Sequence, residues 1–168
     1  IAPLAPLGSL VELNAGGNAL TDASGLAGCV SLERLDLSNN QLTSVDTVKN
    51  LSKLTKLNFS HNAVASIPDL SGASSLQQFY ASYNAELANI SSLAGLQELN
   101  YVDVDYTAVS DIECLTACPA LVQVNAFGSK VTSVKALTDA GVPAGYINSS
   151  LSGEELRDVY RRAYSGEY

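Results

Sequence analysis

The chain has 168 residues, 46% hydrophobic and 15% charged, which is the size of one domain and too apolar and weakly charged for a disordered segment. Seventeen Asp and Glu against nine Lys and Arg leave a net charge of −8, which argues against nucleic-acid binding through a bulk positive field. No apolar run approaches the ~18 residues of a membrane span, and three cysteines cannot all pair within the chain.

The chain opens on Ile1-Ala2-Pro3-Leu4 and contains no Met, with neither a charged n-region nor a signal peptide. It therefore reads as a mature or trimmed segment of something longer. Ile1, Leu4 and Leu7 fall on the last apolar positions of a partial unit, residues 1–9, whose first half is missing. The edge left open there is one that another segment or subunit could cover. Six full units follow, opening at Leu10, Leu32, Leu54, Leu76, Leu99 and Leu121, with spacings of 22, 22, 22, 23 and 22 residues. The second reads Leu32-x-x-Leu35-x-Leu37-x-x-Asn40-x-Leu42-x-x-Val45-x-x-Val48-x-x-Leu51. The third repeats the frame as Leu54, Leu57, Phe59, Asn62, Val64, Ile67, Leu70 and Ala73. The fourth absorbs its extra residue within Asn84-Ala85-Glu86-Leu87 and regains phase by Ile90.

Alternation around Leu35 and Leu37 predicts a short strand with both leucines inward and Arg34, Asp36 and Ser38 outward. Beyond the Asn the apolar spacing becomes three, which predicts 3₁₀-like turns. One unit cannot bury its leucines alone, so the units must stack around a continuous core. Asn18, Asn40, Asn62 and Asn84 stand where each strand turns away. They are expected to form a buried ladder whose amides satisfy backbone groups of neighbouring turns, with Thr107 and Ser129 taking that place in the last two units. Asn62→Ala is expected to cost about 1–3 kcal/mol, and the outward-facing Asn39→Ala far less.

Residues 143–168 depart from the repeat. A last partial strand is expected around Tyr146-Ile147. Ser152-Gly153-Glu154-Glu155 then reads as a capping box, opening a helix with Leu156, Val159, Tyr160, Ala163 and Tyr164 on one face. Arg157, Arg161 and Arg162 fall largely on the other. The helix reads as a cap on the open end of the stack, with a basic docking helix as the alternative.

The recurring L-x-x-L-x-L-x-x-N-x-L frame resembles the leucine-rich repeat family in its 22-residue class, found in bacterial internalins and in a regulatory subunit of type-1 protein phosphatase. The resemblance covers roughly residues 1–142. It implies an α/β solenoid: a right-handed curved leucine-rich repeat with a parallel concave sheet, a 3₁₀ or turn convex side and a C-terminal capping helix.

No catalytic constellation, cofactor site or metal site emerges from the residues. His61 is the only histidine and has no fixed second ligand. Cys29 and Cys118 share one apolar repeat position and read as buried thiols. Cys114 and Cys118 have no second ligand pair, so zinc is not expected, and no base adjoins them for nucleophilic work. Phosphate-binding, dinucleotide and nucleophile-elbow motifs are missing. Four glycosylation sequons, at Asn50, Asn58, Asn89 and Asn148, are cheap matches in a chain rich in Ser and Asn.

The outward strand positions form columns. One reads Glu12, Arg34, Lys56, Gln78, Tyr101, Gln123; the next reads Asn14, Asp36, Asn58, Tyr80, Asp103, Asn125. Two more read Gly16, Ser38, Ser60, Ser82, Asp105, Phe127 and Gly17, Asn39, His61, Tyr83, Tyr106, Gly128. The early face, with Arg34, Lys56 and His61, is mixed polar. The later face gathers Tyr80, Tyr83, Tyr101, Tyr106 and Phe127 around Asp103 and Asp105. With strands about 4.8 Å apart these rings span roughly 10 Å across the stack. They read either as an interface of several hundred Å² or as lateral packing that stabilises the sheet.

The leading expectation is a non-enzymatic module that binds a protein partner on this face, within a larger secreted or cell-surface bacterial protein, as the internalin resemblance implies. Two alternatives stay open: the substrate-recruiting part of a larger enzyme, or a cytoplasmic regulatory subunit that binds a phosphatase or similar enzyme. Neither nucleic-acid binding nor membrane insertion is expected, and the oligomeric state is left open.

Overall fold

The computed structural model describes residues 7–143 and 147–149. Its strands form one parallel sheet in sequence order: β1 (Glu12–Asn14), β2 (Arg34–Asp36), β3 (Lys56–Asn58), β4 (Gln78–Tyr80), β5 (Tyr101–Asp103), β6 (Gln123–Ala126) and β7 (Ile147–Ser149). Alternation turns the middle residues Leu35, Leu57, Phe79, Val102 and Val124 into the core, where all are buried. The register pairs Glu12, Arg34, Lys56, Gln78, Tyr101 and Gln123 in succession, so the outward columns read from the repeat are physical columns. One turn of the stack, from one opening leucine to the next, is called a coil below.

On the convex side 3₁₀ segments occupy Ser24–Leu26, Asp46–Asn50, Ser91–Leu93 and Glu113–Ala117. Each is entered through a side-chain oxygen that accepts the N–H two residues on: Asp22 from Ser24, Ser44 from Asp46, Asn89 from Ser91 and Asp111 from Glu113, at 2.7–3.0 Å. The third coil has no such segment. There the N–H that Ser66 would accept belongs to Pro68, which has none, and the convex side stays irregular. In the sixth coil the expected 3₁₀ turn is replaced by a short helix, α1 (Lys135–Asp139). Thr138 and Ala140 donate to the carbonyls four residues back, and the Lys135–Asp139 ion pair spans the turn.

The core is a set of stacked leucine ladders, joined by an edge-to-face contact of Phe59 and Phe79 with centroids 5.5 Å apart. Cys29 and Cys118 are buried in the same ladder as Leu51 and Ala73. Leu7 departs from expectation: it is 41% exposed, because it lies at the end of the described stack with a neighbouring coil on one side only. For the same reason Leu10 and Leu13 are only partly buried. At the other end β7 continues the sheet against β6. Ile1, Leu4, Tyr146 and the expected helix with its capping box and arginines lie outside the described residues.

The asparagine ladder forms, with a correction to its burial. Asn84 is fully buried, Asn40 and Asn62 are half-buried, and Asn18 is exposed. Each inner Asn joins two coils. Asn84 Nδ2 donates to Ala81 O of its own coil at 2.9 Å and Phe59 O of the coil before at 3.1 Å, while its Oδ1 accepts Val64 N–H at 2.9 Å. Asn62 repeats this with Phe59 O, Leu37 O and Leu42 N–H. Asn40 does so with Leu37 O, Ala15 O and Leu20 N–H. Among the described residues Asn18 bonds only to Ala15 O and Gly16 O, both of its own coil.

Candidate functional site

The concave face is shaped by how each strand ends. Asn14, Asp36, Asn58 and Asp103 each accept, through Oδ1, the N–H two residues on (Gly16, Ser38, Ser60 and Asp105), at 2.8–3.1 Å. These Asx turns end the strand, and the chain then takes a positive φ in every coil: Gly17 at 69°, Asn39 at 53°, His61 at 55°, Tyr83 at 56°, Tyr106 at 52° and Gly128 at 68°. The repeat pattern did not reveal this. Glycines at the two ends and an Asn between them are the residues most at ease there. A tyrosine in that conformation carries strain, which surrounding contacts must offset.

Those contacts are ring contacts. His61 stacks on Tyr83 with centroids 4.2 Å apart and planes 11° from parallel; Tyr83 stacks on Tyr106 at 4.6 Å and 22°. Tyr106 meets Phe127 edge-on at 5.6 Å. The Tyr106 ring lies so closely over Gly128 that a Cβ there would sit 2.6 Å from it, so any side chain at 128 would displace the ring. A second pair lies further along the strands, where Tyr80 and Tyr101 tilt together at 4.9 Å. The Tyr101 hydroxyl accepts from Asn125 Nδ2 at 2.8 Å, and Lys56 Nζ lies 5.0 Å over the Tyr80 ring.

These side chains divide by exposure and charge. Tyr83, Tyr106 and Phe127 are 46%, 42% and 44% exposed, whereas Tyr80 and Tyr101 are half-buried. Burial, with the charge of Asp103 beside it, pushes the Tyr101 hydroxyl up to about 12 and raises Tyr80 in the same direction. Burial also raises Asp105, and the Asp103 charge adds to this, although the Phe127 N–H bound at 2.6 Å pulls the other way. Asp103 and Asp105 therefore hold backbone as well as facing outward.

Of the residues singled out in the sequence, the geometry joins His61, Tyr83, Tyr106 and Phe127 into one column and Lys56, Tyr80 and Tyr101 into another. Arg34 stands apart. Its Nε and Nη2 both donate to Glu12 Oε2, at 3.0 and 2.7 Å, so its charge is matched within the sheet. Cys114 is partly buried and Cys118 buried, and burial raises both thiols, Cys114 to about 11, which leaves them poor nucleophiles. Among the described residues no group of three or more His, Cys, Asp or Glu could hold a metal ion, and no helix is long and apolar enough to cross a membrane.

A sequence profile described as "Leucine Rich repeats (2 copies)" matches residues 9–53 and 30–72. No curated protein matches the sequence. Among solved structures, the fold is similar to an internalin (inlF) from Listeria monocytogenes, with a TM-score of 0.73 and 19% identity over 87% of this chain. It is also similar to internalin C2 from the same species (TM-score 0.58, 23% identity, 90% of this chain). A leucine-rich repeat protein from Leptospira interrogans gives a TM-score of 0.60 at 15% identity over 98% of this chain. The chain spans 49%, 56% and 61% of the lengths of these three proteins. Repeats of this kind are protein–protein interaction modules. The repeat frame, the profile matched over residues 9–72 and the solenoid agree on a leucine-rich repeat fold, with internalins among the structures it resembles.

Proposed function

We propose that this chain is a non-enzymatic recognition module that grips a partner protein with the concave face of β3–β6, as part of a larger bacterial protein that is secreted or held at the cell surface. The observation that carries this reading is the column of His61, Tyr83 and Tyr106, two of them exposed tyrosines kept in a strained backbone conformation. Lateral packing alone is better served by residues at ease there, as Gly17 and Gly128 are. The rigid sheet loses little entropy when a partner docks. Likeness to internalins supports the surface or secreted setting.

The backbone also supplies a clean test. Tyr83→Gly with Tyr106→Gly removes both rings while relieving the positive φ, so lost stacking and relieved strain offset one another. Affinity for a captured natural partner should fall by at least about 2 kcal/mol, the scale of interface hot spots, with little change in melting temperature. Unchanged affinity would move the binding face elsewhere. Tyr80→Ala with Tyr101→Ala is a poorer probe, because those half-buried rings also pack on Lys56 and Asn125.

A further inference from the structure

The outward residues of β5 and its exit run Tyr101, Asp103, Asp105, Tyr106, so two carboxylates stand in line between two rings. Strand register sets Tyr80 beside Asp103, and Phe127 lies against Asp105 through its N–H. The acid pair thus stands between Tyr101 and Tyr106 along the chain, with Tyr80 beside Asp103 on the neighbouring strand. Neither carboxylate has an ion-pair partner among the described residues. No Lys or Arg occupies an outward position of β4, β5 or β6 or their exits, and Lys56 on β3 is already laid over Tyr80. The ring faces are turned on one another at 4.2–4.9 Å, so the columns offer edges and hydroxyls more than the open faces on which a sugar ring stacks.

We propose that the occupant of this strip is a basic segment of a partner protein, an arginine or lysine side chain whose charged head meets Asp103 and Asp105 while its stem lies along the edges of Tyr101 and Tyr106. The proposal rests on the concave-face reading above and names the chemistry of its partner. A guanidinium matches a carboxylate through paired hydrogen bonds, and the apolar stem gains by covering ring edges. Flanking rings exclude water, which strengthens the attraction.

The test uses two synthetic peptides, Gly-Ser-Arg-Gly-Arg-Ser-Gly and the same peptide with Gln for both Arg, together with cellohexaose as a neutral glycan. Asp103→Asn with Asp105→Asn keeps an oxygen for each backbone N–H and so keeps the turn. Glu86→Gln with Glu98→Gln removes equal charge from exposed positions off the strip. The arginine peptide should bind and lose about tenfold in affinity in the Asp103/Asp105 variant, but less than twofold in the Glu86/Glu98 variant, with weakening as salt rises. Equal binding of the Gln peptide, equal loss in both variants, or tighter binding of cellohexaose would overturn it. If a natural partner still needs Tyr83 and Tyr106 but ignores Asp103→Asn with Asp105→Asn, the basic-segment inference fails and the concave-face reading stands. If the partner ignores both pairs, both fail.

Discussion

In coils two to four the ladder side chain ties the strand exit to the coil before; in coils five and six the side chain at that place bonds only within its own coil. In the earlier coils Asn40, Asn62 and Asn84 each reach back to a carbonyl and an N–H of the preceding coil. After the extra residue the pattern changes. Ala85 and Glu86 form a turn in which Leu87 N–H donates to Asn84 O at 3.0 Å. That N–H is the one the next coil's Asn would have served, so Thr107 has no such duty. Thr107 Oγ1 donates to Val104 O at 2.7 Å and accepts Val109 N–H at 3.4 Å; Ser129 repeats the arrangement with Ala126 and Val131. One inserted residue therefore relieves the ladder downstream, and a shorter hydroxyl suffices where the side chain serves groups of its own coil only.

The sharpest way to break this comparison is Asn84→Ala. It orphans Val64 N–H and the Ala81 carbonyl in a fully buried site, while Phe59 O keeps its bond from Asn62 Nδ2, and should cost about 3 kcal/mol, the upper end for unsatisfied buried groups. Thr107→Val, which frees groups of one coil only, should cost about 1 kcal/mol. Denaturant midpoints at equal slope give both numbers. Equal costs would mean that the ladder does not couple coils.

A second experiment turns one half into the other. Deleting Glu86 restores the 22-residue frame but removes the turn that satisfies Leu87 N–H. Thr107→Asn should then become favourable, by about 1 kcal/mol of coupling in a double-mutant cycle. In the unaltered chain the same substitution should gain nothing, because Leu87 N–H is already bonded. A coupling near zero would show that the insertion and the change from Asn to Thr are unrelated.

The solenoid was legible because one signal repeats: a leucine frame of constant period fixes which side chains stack and therefore which outward residues share a column. The Asn ladder was legible as a ladder, but its burial was not, since that depends on what covers each end. The strand-exit turn was hidden. Gly, Asn, His and Tyr share no propensity that betrays a positive φ, although Gly17, Asn39 and Gly128 at one repeat offset were a clue. Hence Asn39, read as a cheap outward position, holds a backbone that Ala adopts at a cost of roughly 1 kcal/mol. Asp103 looked like a pure surface charge because an Asx turn depends on local backbone shape, which the column of residue types does not record. Pro68 removes the N–H that Ser66 would accept, but proline is at ease in a first helical position, so the missing 3₁₀ segment of the third coil was not legible from it.

The two halves also differ in how they hold their acids, and this yields the smallest effect. In the earlier coils Glu12, Asp22 and Asp69 sit below the ordinary carboxylate range, through the Arg34 hydrogen bond, the Ser24 hydroxyl and the Ser71 N–H respectively. In the fourth and fifth coils burial moves groups upward instead, Tyr80 and Tyr83 in direction, and in the fifth coil Tyr101 from 10.0 to about 12 and Cys114 from 9.0 to about 11. A group raised in the folded state loses its proton first in the unfolded chain. Its contribution is therefore complete below the unfolded value and is lost as pH climbs to the folded one. Stability should hold to about pH 9, fall between 9.0 and about 11 through Cys114, and fall further from 10.0 to about 12 through Tyr101. Because both groups belong to the fifth coil, backbone amide protection should fade first around β5 and β6, with β2 and β3 following. Cys114→Ser should flatten the first part of that decline and leave the part due to Tyr101. Loss of protection at the same pH throughout the sheet would mean that the alkaline transition reports the whole stack and carries no imprint of the two halves.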